Sequence, residues 1–375
     1  MSLNLSSISS TKLITYLLYL MPFLILTGPF LPDLFLVLIA ILFLIEAYKK
    51  KLIKYFKNYF FFVLVIFNLY IIFNSVISEF PLFSLKSSLV YFRFSIFTLA
   101  IWFALDNEIN FKRYFLYGLT IAFLIAIFDG YFQYTFGQNI FGYEAANNNR
   151  LNLLISEGWL LGSYLARLLP LFLALALTQY KKTKLNILII FIMWIASDVL
   201  IFLSGERTAI ALMIISNIFI ILLLKEFRLI RVLSFIISIG IIIIISFLNP
   251  AIKERNIDLT INQINIGNGE ITFFSRLHET FFHTSVSMFV NNPILGTGPN
   301  TYRKYCDNEK YEYISPYSSD SYTYSACSTH PHNSFLQILA ETGIIGVSFL
   351  IILIIYFSRL ILIHMYLKLI IKKQF

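Results

Sequence analysis

Charge is scarce in this chain. Asp, Glu, Lys and Arg make up 13% of its 375 residues, against about 25% in an average soluble domain, so an ordinary water-soluble globular protein is excluded. Strict polar–apolar alternation is missing as well. Runs such as "ILIIFIMWIASDVLIFL" are apolar almost throughout, which argues against the strands of a membrane barrel. There is no tandem repeat, and no inverted repeat of the kind that builds many transporters. Cysteine is limited to Cys306 and Cys327, without the C-x-x-C spacing that marks many metal sites. A cleavable signal peptide is not expected either, because "MSLNLSSISSTK" is polar and the first apolar run is long enough to stay in a bilayer.

Apolar residues are abundant instead, at 58% of the chain, and they gather in runs of roughly 18 or more, the length a helix needs to cross a bilayer. The fold class read from this pattern is an all-α multispan membrane protein. About ten spans are predicted: residues 13–29, 32–47, 58–77, 87–105, 114–133, 160–179, 185–203, 208–224, 232–248 and 344–366. The stretch "SIGIIIIISF" is β-branched, yet an isolated strand in lipid would leave its backbone groups unpaired, so helix is expected there too. Basic residues cluster in alternate connections: "KKKLIKYFK" (49–57), "FKR" (111–113), "KKTK" (181–184), "KEFRLIR" (225–231) and "KLIIKK" (368–373). The positive-inside rule places these five in the cytoplasm, and both termini with them. The net charge of +9 is then a property of cytoplasmic loops rather than a sign of nucleic-acid binding.

The other connections fall on the outer side, and three of them stand out: 134–159, the tight turn "SGER" at 204–207, and a polar stretch over 249–332. The expected organisation is a helix bundle over 1–248, a large outer loop with short helices over 249–343, and a last span with a basic tail over 344–375. Function tends to sit on such loops above a rigid scaffold. Both cysteines fall in the large loop, where an oxidising compartment favours a Cys306–Cys327 disulfide, worth roughly 3 kcal/mol on the chain-entropy estimate for a loop of about 20 residues.

The stretch "HPHNSFLQILAETGIIG" (330–346) closes that loop. Ser334 and Gln337 fit a capping box, and Gly343 is a natural stop, so a short helix over about 334–342 is expected ahead of the last span. His332 then precedes a helix amino terminus, whose dipole disfavours an imidazolium and favours the neutral ring that a general base needs. His332 and Asn333 equally fit a plain helix cap. His330 and His332 form an H-x-H pair around Pro331, with only Glu341 or His283 as a third metal ligand, and no metal is expected. Four arginines lie in or near the outer connections: Arg150 in "NNNRLN", Arg167 in "SYLARLLPLF", Arg207 in "LSGERTAIAL" and Arg276 in "FFSRLHETFF". Guanidinium forks match phosphate oxygens; the alternative is pairing with Glu157, Glu206 or Glu279. Arg93, in "YFRFS", has no assigned role. "NNPILGTGPN" (291–300) reads as turn chemistry and only weakly as a phosphate cradle.

These residues together resemble the O-antigen ligase family and its relatives, the O-antigen polymerases. Their histidine signature is His, then Asn, Ser or Gln, nine residues, and Gly-x-x-Gly. Here His332 and Asn333 are followed by nine residues and by Gly343, Ile344, Ile345 and Gly346. "LSGERTA" is similar to the family's outer-turn arginine motif, and "SRLHETFFHTSVSMFVNNPILGTGPNTY" to its second arginine segment; the likeness runs over roughly 145–350. Many members have about twelve spans, two of them after the histidine motif, where this chain has one.

The resemblance implies a GT-C-like enzyme of the bacterial inner membrane with a periplasmic active site and no cofactor or metal. Such an enzyme moves a glycan from undecaprenyl pyrophosphate to lipid A–core, as a ligase, or to another lipid-linked repeat unit, as a polymerase. The histidine pattern leans to ligase. On that likeness His332 is the general base and Arg207 and Arg276 hold the pyrophosphate. Arg150, Arg167, His330 and Asn333 are expected to contact substrate, and Tyr302, Tyr305, Tyr311 and Tyr313 either stack on sugars or serve as core. A glycan flippase is the rival from another class; its arginines would line a path at mid-depth.

Overall fold

Apolar runs become helices here, and some of them start on a side-chain cap. Asn58 caps α3 (Tyr59–Ile77) by accepting the Phe61 N–H at 2.8 Å, and Thr183 caps α8 (Lys184–Leu203) by accepting from Asn186. Gly137, with a left-handed φ of 79°, ends α6 (Phe111–Phe136). The computed structural model describes residues 10–374 apart from 146–149, 156–159, 182, 267–269, 272–275 and 312–326. The remaining long helices are α1 (Ser10–Ile25), α2 (Phe30–Lys49), α5 (Phe92–Asn107), α7 (Leu161–Gln179), α9 (Arg207–Leu223) and α10 (Arg228–Leu248). Shorter pieces are α4 (Pro81–Ser88), α11 (Pro250–Lys253), α12 (Leu259–Ile264), α13 (Arg276–Asn291) and α14 (Tyr302–Tyr305). The last helix, α15 (Ser334–Gln374), is kinked at Gly343. Two-residue strands β1 (Asn265–Ile266) and β2 (Glu270–Ile271) pair antiparallel.

Among the described residues eight helical stretches are long and apolar enough to cross a membrane, and α1 and α9 are shorter apolar helices. The protein is an all-α multispan membrane protein, and each predicted span falls on one of these helices. The span predicted over 87–105 begins earlier, at Pro81, and is broken between α4 and α5. The cause is polar: Ser84 and Ser88 are buried, and their hydroxyls bond Ser75 Oγ at 2.9 and 2.7 Å.

The described chain forms two compact units, Met1–Lys50 with Phe97–Asn262, and Lys51–Ile96 with Gln263–Phe375. In the first unit, α6 to α10 enclose the main apolar core, with Phe123 stacked on Phe172 at 5.4 Å. A buried ion pair lies inside it. Arg231, counted with the basic connection 225–231, instead lies in α10 with a fully buried side chain. Its Nη2 meets Asp198 Oδ1 of α8 at 2.9 Å, its Nε donates to Asn217 of α9, Nη1 donates to Ser234, and the guanidinium lies 4.7 Å from the Trp194 ring. A hydrophobic run can carry such a residue because its partners sit on the two neighbouring helices, invisible to a local reading.

The second unit is organised around the kink of α15. At Gly343 the backbone takes φ 60° and ψ −164°, and a Cβ there would strike the carbonyl of Ile294. The loop 293–302 runs along this stretch: Ile344 N–H bonds Pro293 O at 2.9 Å, Thr297 N–H bonds Ala340 O at 3.0 Å, and Gly298 N–H bonds Glu341 O at 2.8 Å. The buried Glu341 carboxylate accepts from Asn300 N–H and Tyr302 N–H at 2.9 and 3.1 Å. The same loop is held by α3 and α4, through Asn74 to Leu295 O and Ser84 to Pro299 O. "NNPILGTGPN" is therefore a structural clasp, with the N–H groups of Gly296, Thr297, Gly298 and Asn300 engaged within the protein.

Candidate functional site

The candidate residues gather at two places, one in each unit. In the second, α15 begins at Ser334, and of the two cap readings the plain cap holds at Asn333 rather than the capping box at Ser334: its Oδ1 accepts from Phe335 and Leu336 N–H at 3.0 and 3.2 Å. Gln337 turns to Glu341 at 3.2 Å instead of closing a capping box. With the cap supplied by Asn333, His332 is released from that role. It adopts a left-handed φ of 54°, a strained choice for a residue other than glycine, of the kind that gathers at functional sites. Its exposed ring stacks on Phe281 of α13, with centroids 5.1 Å apart and planes at 26°.

His278, one turn earlier on α13, and His330 add two more imidazoles, with centroids 5.7 and 4.5 Å from that of His332. Ser328 Oγ meets His332 Nε2 at 3.2 Å, and Thr329 Oγ1 meets His330 Nδ1 at 2.8 Å. Partial burial, then the neighbouring His332 and Arg303, push the His330 imidazole below its ordinary value. Arg276 is the first residue of α13. The Cys306–Cys327 disulfide is present, with Cα atoms 4.9 Å apart, and ends one residue before Ser328.

The third-ligand candidates for the H-x-H pair are occupied elsewhere, Glu341 on the loop at 300–302 and His283 beside Glu279 at 3.9 Å. Of the two readings kept for the loop tyrosines, core holds for three: Tyr302 has 0% exposure, and it packs with the buried Tyr305 and Tyr311 around Met288 and Ala340. Tyr302 is thereby corrected from a binding surface to a packing residue. Tyr313 and Glu157 lie outside the described residues.

In the first unit, the turn at Gly205 (φ 71°) joins α8 to α9 and places Arg207 at the first position of α9. Glu206 is nearly buried and reaches across to the amino terminus of α7. Its Oε1 accepts the Gly162 N–H at 2.7 Å, and its Oε2 accepts the Ser163 N–H at 3.1 Å and the Ser163 hydroxyl at 2.5 Å. A carboxylate there satisfies helix-end donors and complements the dipole. Burial pushes the Glu206 carboxyl up, against the pull of Ser163, Gly162 and Arg150.

Arg150 approaches the same turn from the loop after α6. That loop is pinned by Gln133 accepting the Asn152 N–H at 2.8 Å, and by Asn139 donating to Leu154 O at 2.9 Å. A third guanidinium, overlooked in the sequence, comes from Arg255, in a π-type turn over Glu254–Asp258. π turns are rare and recur at functional sites. A Cβ at position 205 would lie 3.4 Å from Arg150 Cγ and 3.5 Å from Arg255 Nε. Arg207 and Arg150 also lie within electrostatic reach of each other. Arg167, expected beside them, has an exposed side chain on α7. Arg93 lies on α5 with its guanidinium 4.9 Å from the Phe94 ring.

Against known proteins, residues 188–351 match the family model described as O-antigen ligase. That match covers the Gly205 turn, Arg255, α13 and the histidine motif through Gly346. Searches of the curated proteins and of the solved structures return no match.

Proposed function

Residues 188–351 are an O-antigen ligase domain, and from that premise we propose that the chain is a glycosyltransferase of the bacterial inner membrane. It moves a glycan from undecaprenyl pyrophosphate to a hydroxyl of lipid A–core on the periplasmic face, with both termini in the cytoplasm. The observation that carries this reading is the presentation of His332: a strained backbone, a ring stacked on Phe281, and a neighbouring Asn333 that takes over the capping.

In the proposed step the acceptor hydroxyl oxygen attacks the anomeric carbon and its proton passes to the His332 ring, help worth about 100- to 10,000-fold. The bond from that carbon to the pyrophosphate oxygen breaks with inversion. The lipid pyrophosphate leaves with its charge held by Arg207 and Arg276. His330 and Asn333 flank the base. The acceptor can instead be a second lipid-linked repeat unit, which would make the enzyme a polymerase.

The test is transfer by the purified full chain in detergent, with lipid-linked glycan and each acceptor offered in turn. His332→Ala should lose at least a hundredfold in rate and keep the wild-type unfolding profile. Transfer by this variant at near wild-type rate would remove the histidine from the mechanism. Product only with the lipid-linked acceptor would make the enzyme a polymerase, and product with neither would leave a transporter.

A further inference from the structure

The imidazole of His332 has two nitrogens, and one of them is already engaged. Ser328 Oγ lies 3.2 Å from Nε2, and among the described residues no hydrogen bond is made to Nδ1. Resting on the transfer reading above, we propose that Ser328 is a positioning residue: it accepts the Nε2–H of His332 and so leaves Nδ1 to take the proton of the acceptor hydroxyl.

Ser328 is held from both sides. Cys327, one residue before it, is joined to Cys306. Cys306 is buried in the tyrosine core around Met288 and Ala340, and its N–H donates to Tyr302 O at 3.0 Å. Tyr302 N–H in turn donates to Glu341 of α15 at 3.1 Å. On the other side Asn333 caps the same helix, and Pro331 is buried, its φ fixed by the ring. The stretch from Cys327 to Asn333 therefore has both ends tied to α15, one through the cap and one through the disulfide and its core. Within it Ser328 is half-buried and His332 exposed.

The direction of the bond follows from counting protons. A hydroxyl has one donor and two acceptor sites, and a neutral imidazole has one N–H and one lone pair. With Nε2–H donating, the bond is the same before and after His332 takes a proton, because Nε2 keeps its hydrogen in both states. With Ser328 donating, the lone pair is occupied at Nε2, Nδ1 carries the hydrogen, and the ring has no site for another proton until that bond breaks. The hydrogen bond at one ring nitrogen sets the state of the other. Phe281 covers one face of the ring, so the Nδ1 edge is the open side. In the step, the acceptor O–H breaks as its oxygen bonds the anomeric carbon. The proton goes to Nδ1, and the electron pair of the broken carbon–oxygen bond leaves with the pyrophosphate.

Transfer is followed between about pH 5 and pH 9 with the purified full chain in detergent, and the histidine nitrogens, isotope-labelled, are read by NMR. The chain has five histidines, and the signal of residue 332 is the one lost in His332→Gln. Wild type should show neutral His332 with its hydrogen on Nε2. Ser328→Ala should lower kcat about tenfold or more and leave donor KM within about twofold. It should also move the acid limb of the rate profile to lower pH, because an acceptor that favoured the charged ring has gone. Ser328→Thr keeps the hydroxyl and should recover kcat to within about threefold of wild type. Unchanged kcat in Ser328→Ala overturns the proposal. So does an acid limb moved to higher pH, which would make the serine a donor, or a loss that threonine does not recover, which would make it a packing residue. The two readings fail separately. A hydrogen on Nε2 of His332 in a chain that transfers no glycan keeps the serine's hold on the ring and sinks the transfer reading; transfer by a chain whose neutral His332 carries its hydrogen on Nδ1 does the reverse.

Discussion

Arg231 and the arginines at Gly205 belong to the same unit and meet burial in opposite ways. Arg231 is enclosed by α8, α9 and α10 with a carboxylate, an amide, a hydroxyl and an indole face all turned to it. Arg255 stands with Arg150 and Arg207, which oppose its charge. The first arrangement is complete within the protein, and its effect is to fix which faces of three helices meet. The second gathers three guanidinium groups at one turn, where each opposes the charge of the next.

The largest test of this contrast removes one partner from each place. Asp198→Ala leaves the Arg231 guanidinium buried beside a lost acceptor and should lower stability by roughly 3–5 kcal/mol, read as a fall in the unfolding midpoint in detergent. Replacing both Asp198 and Arg231 by leucine should recover most of it. Arg255→Gln, without added anion, should leave the midpoint unchanged or raise it, because a like charge has gone. Equal destabilisation by Asp198→Ala and Arg255→Gln would mean that the two places do not differ in kind.

A smaller effect is expected where the cluster is anchored. Glu206→Ala strips acceptors from Gly162 N–H and from the Ser163 N–H and hydroxyl, at about 1–3 kcal/mol for buried donors left unpaired. It also loosens the turn that aims Arg207, so donor KM should rise more than kcat falls. A variant that loses stability with no change in KM would show the anchor to be structural only.

Much of this was legible in the sequence. The spans were, because an apolar run of bilayer length has one low-energy backbone in lipid. The disulfide was, from two cysteines in one polar loop. His332 and Arg207 stood out because a histidine or an arginine beside such runs is conspicuous. What escaped depends on partners far along the chain. Arg231 reads as one more loop cation until Asp198, 33 residues away, is seen beside it. Tyr302 reads as a binding aromatic until its core is assembled. Arg255 was hidden in the polar "KERNID"; its one local signal was an arginine a turn beyond Asn249 and Pro250, a pair that starts a helix.

The second unit sharpens the comparison from the other side, since a crowded histidine, unlike a crowded arginine, can discard its charge. Partial burial, His332 and Arg303 push the His330 ring below its ordinary value, which is about 6.5. The unfolded chain therefore binds the proton before the folded one does. The stability that His330 contributes is intact above about pH 6.5 and declines as the pH falls below it. His330→Gln should flatten part of the acid-side fall in the unfolding midpoint between about pH 7 and pH 5, while the midpoint of Arg255→Gln should keep the wild-type slope, because a guanidinium does not titrate there. Parallel pH profiles for wild type and His330→Gln would show that the imidazole cluster does not disfavour charge at His330.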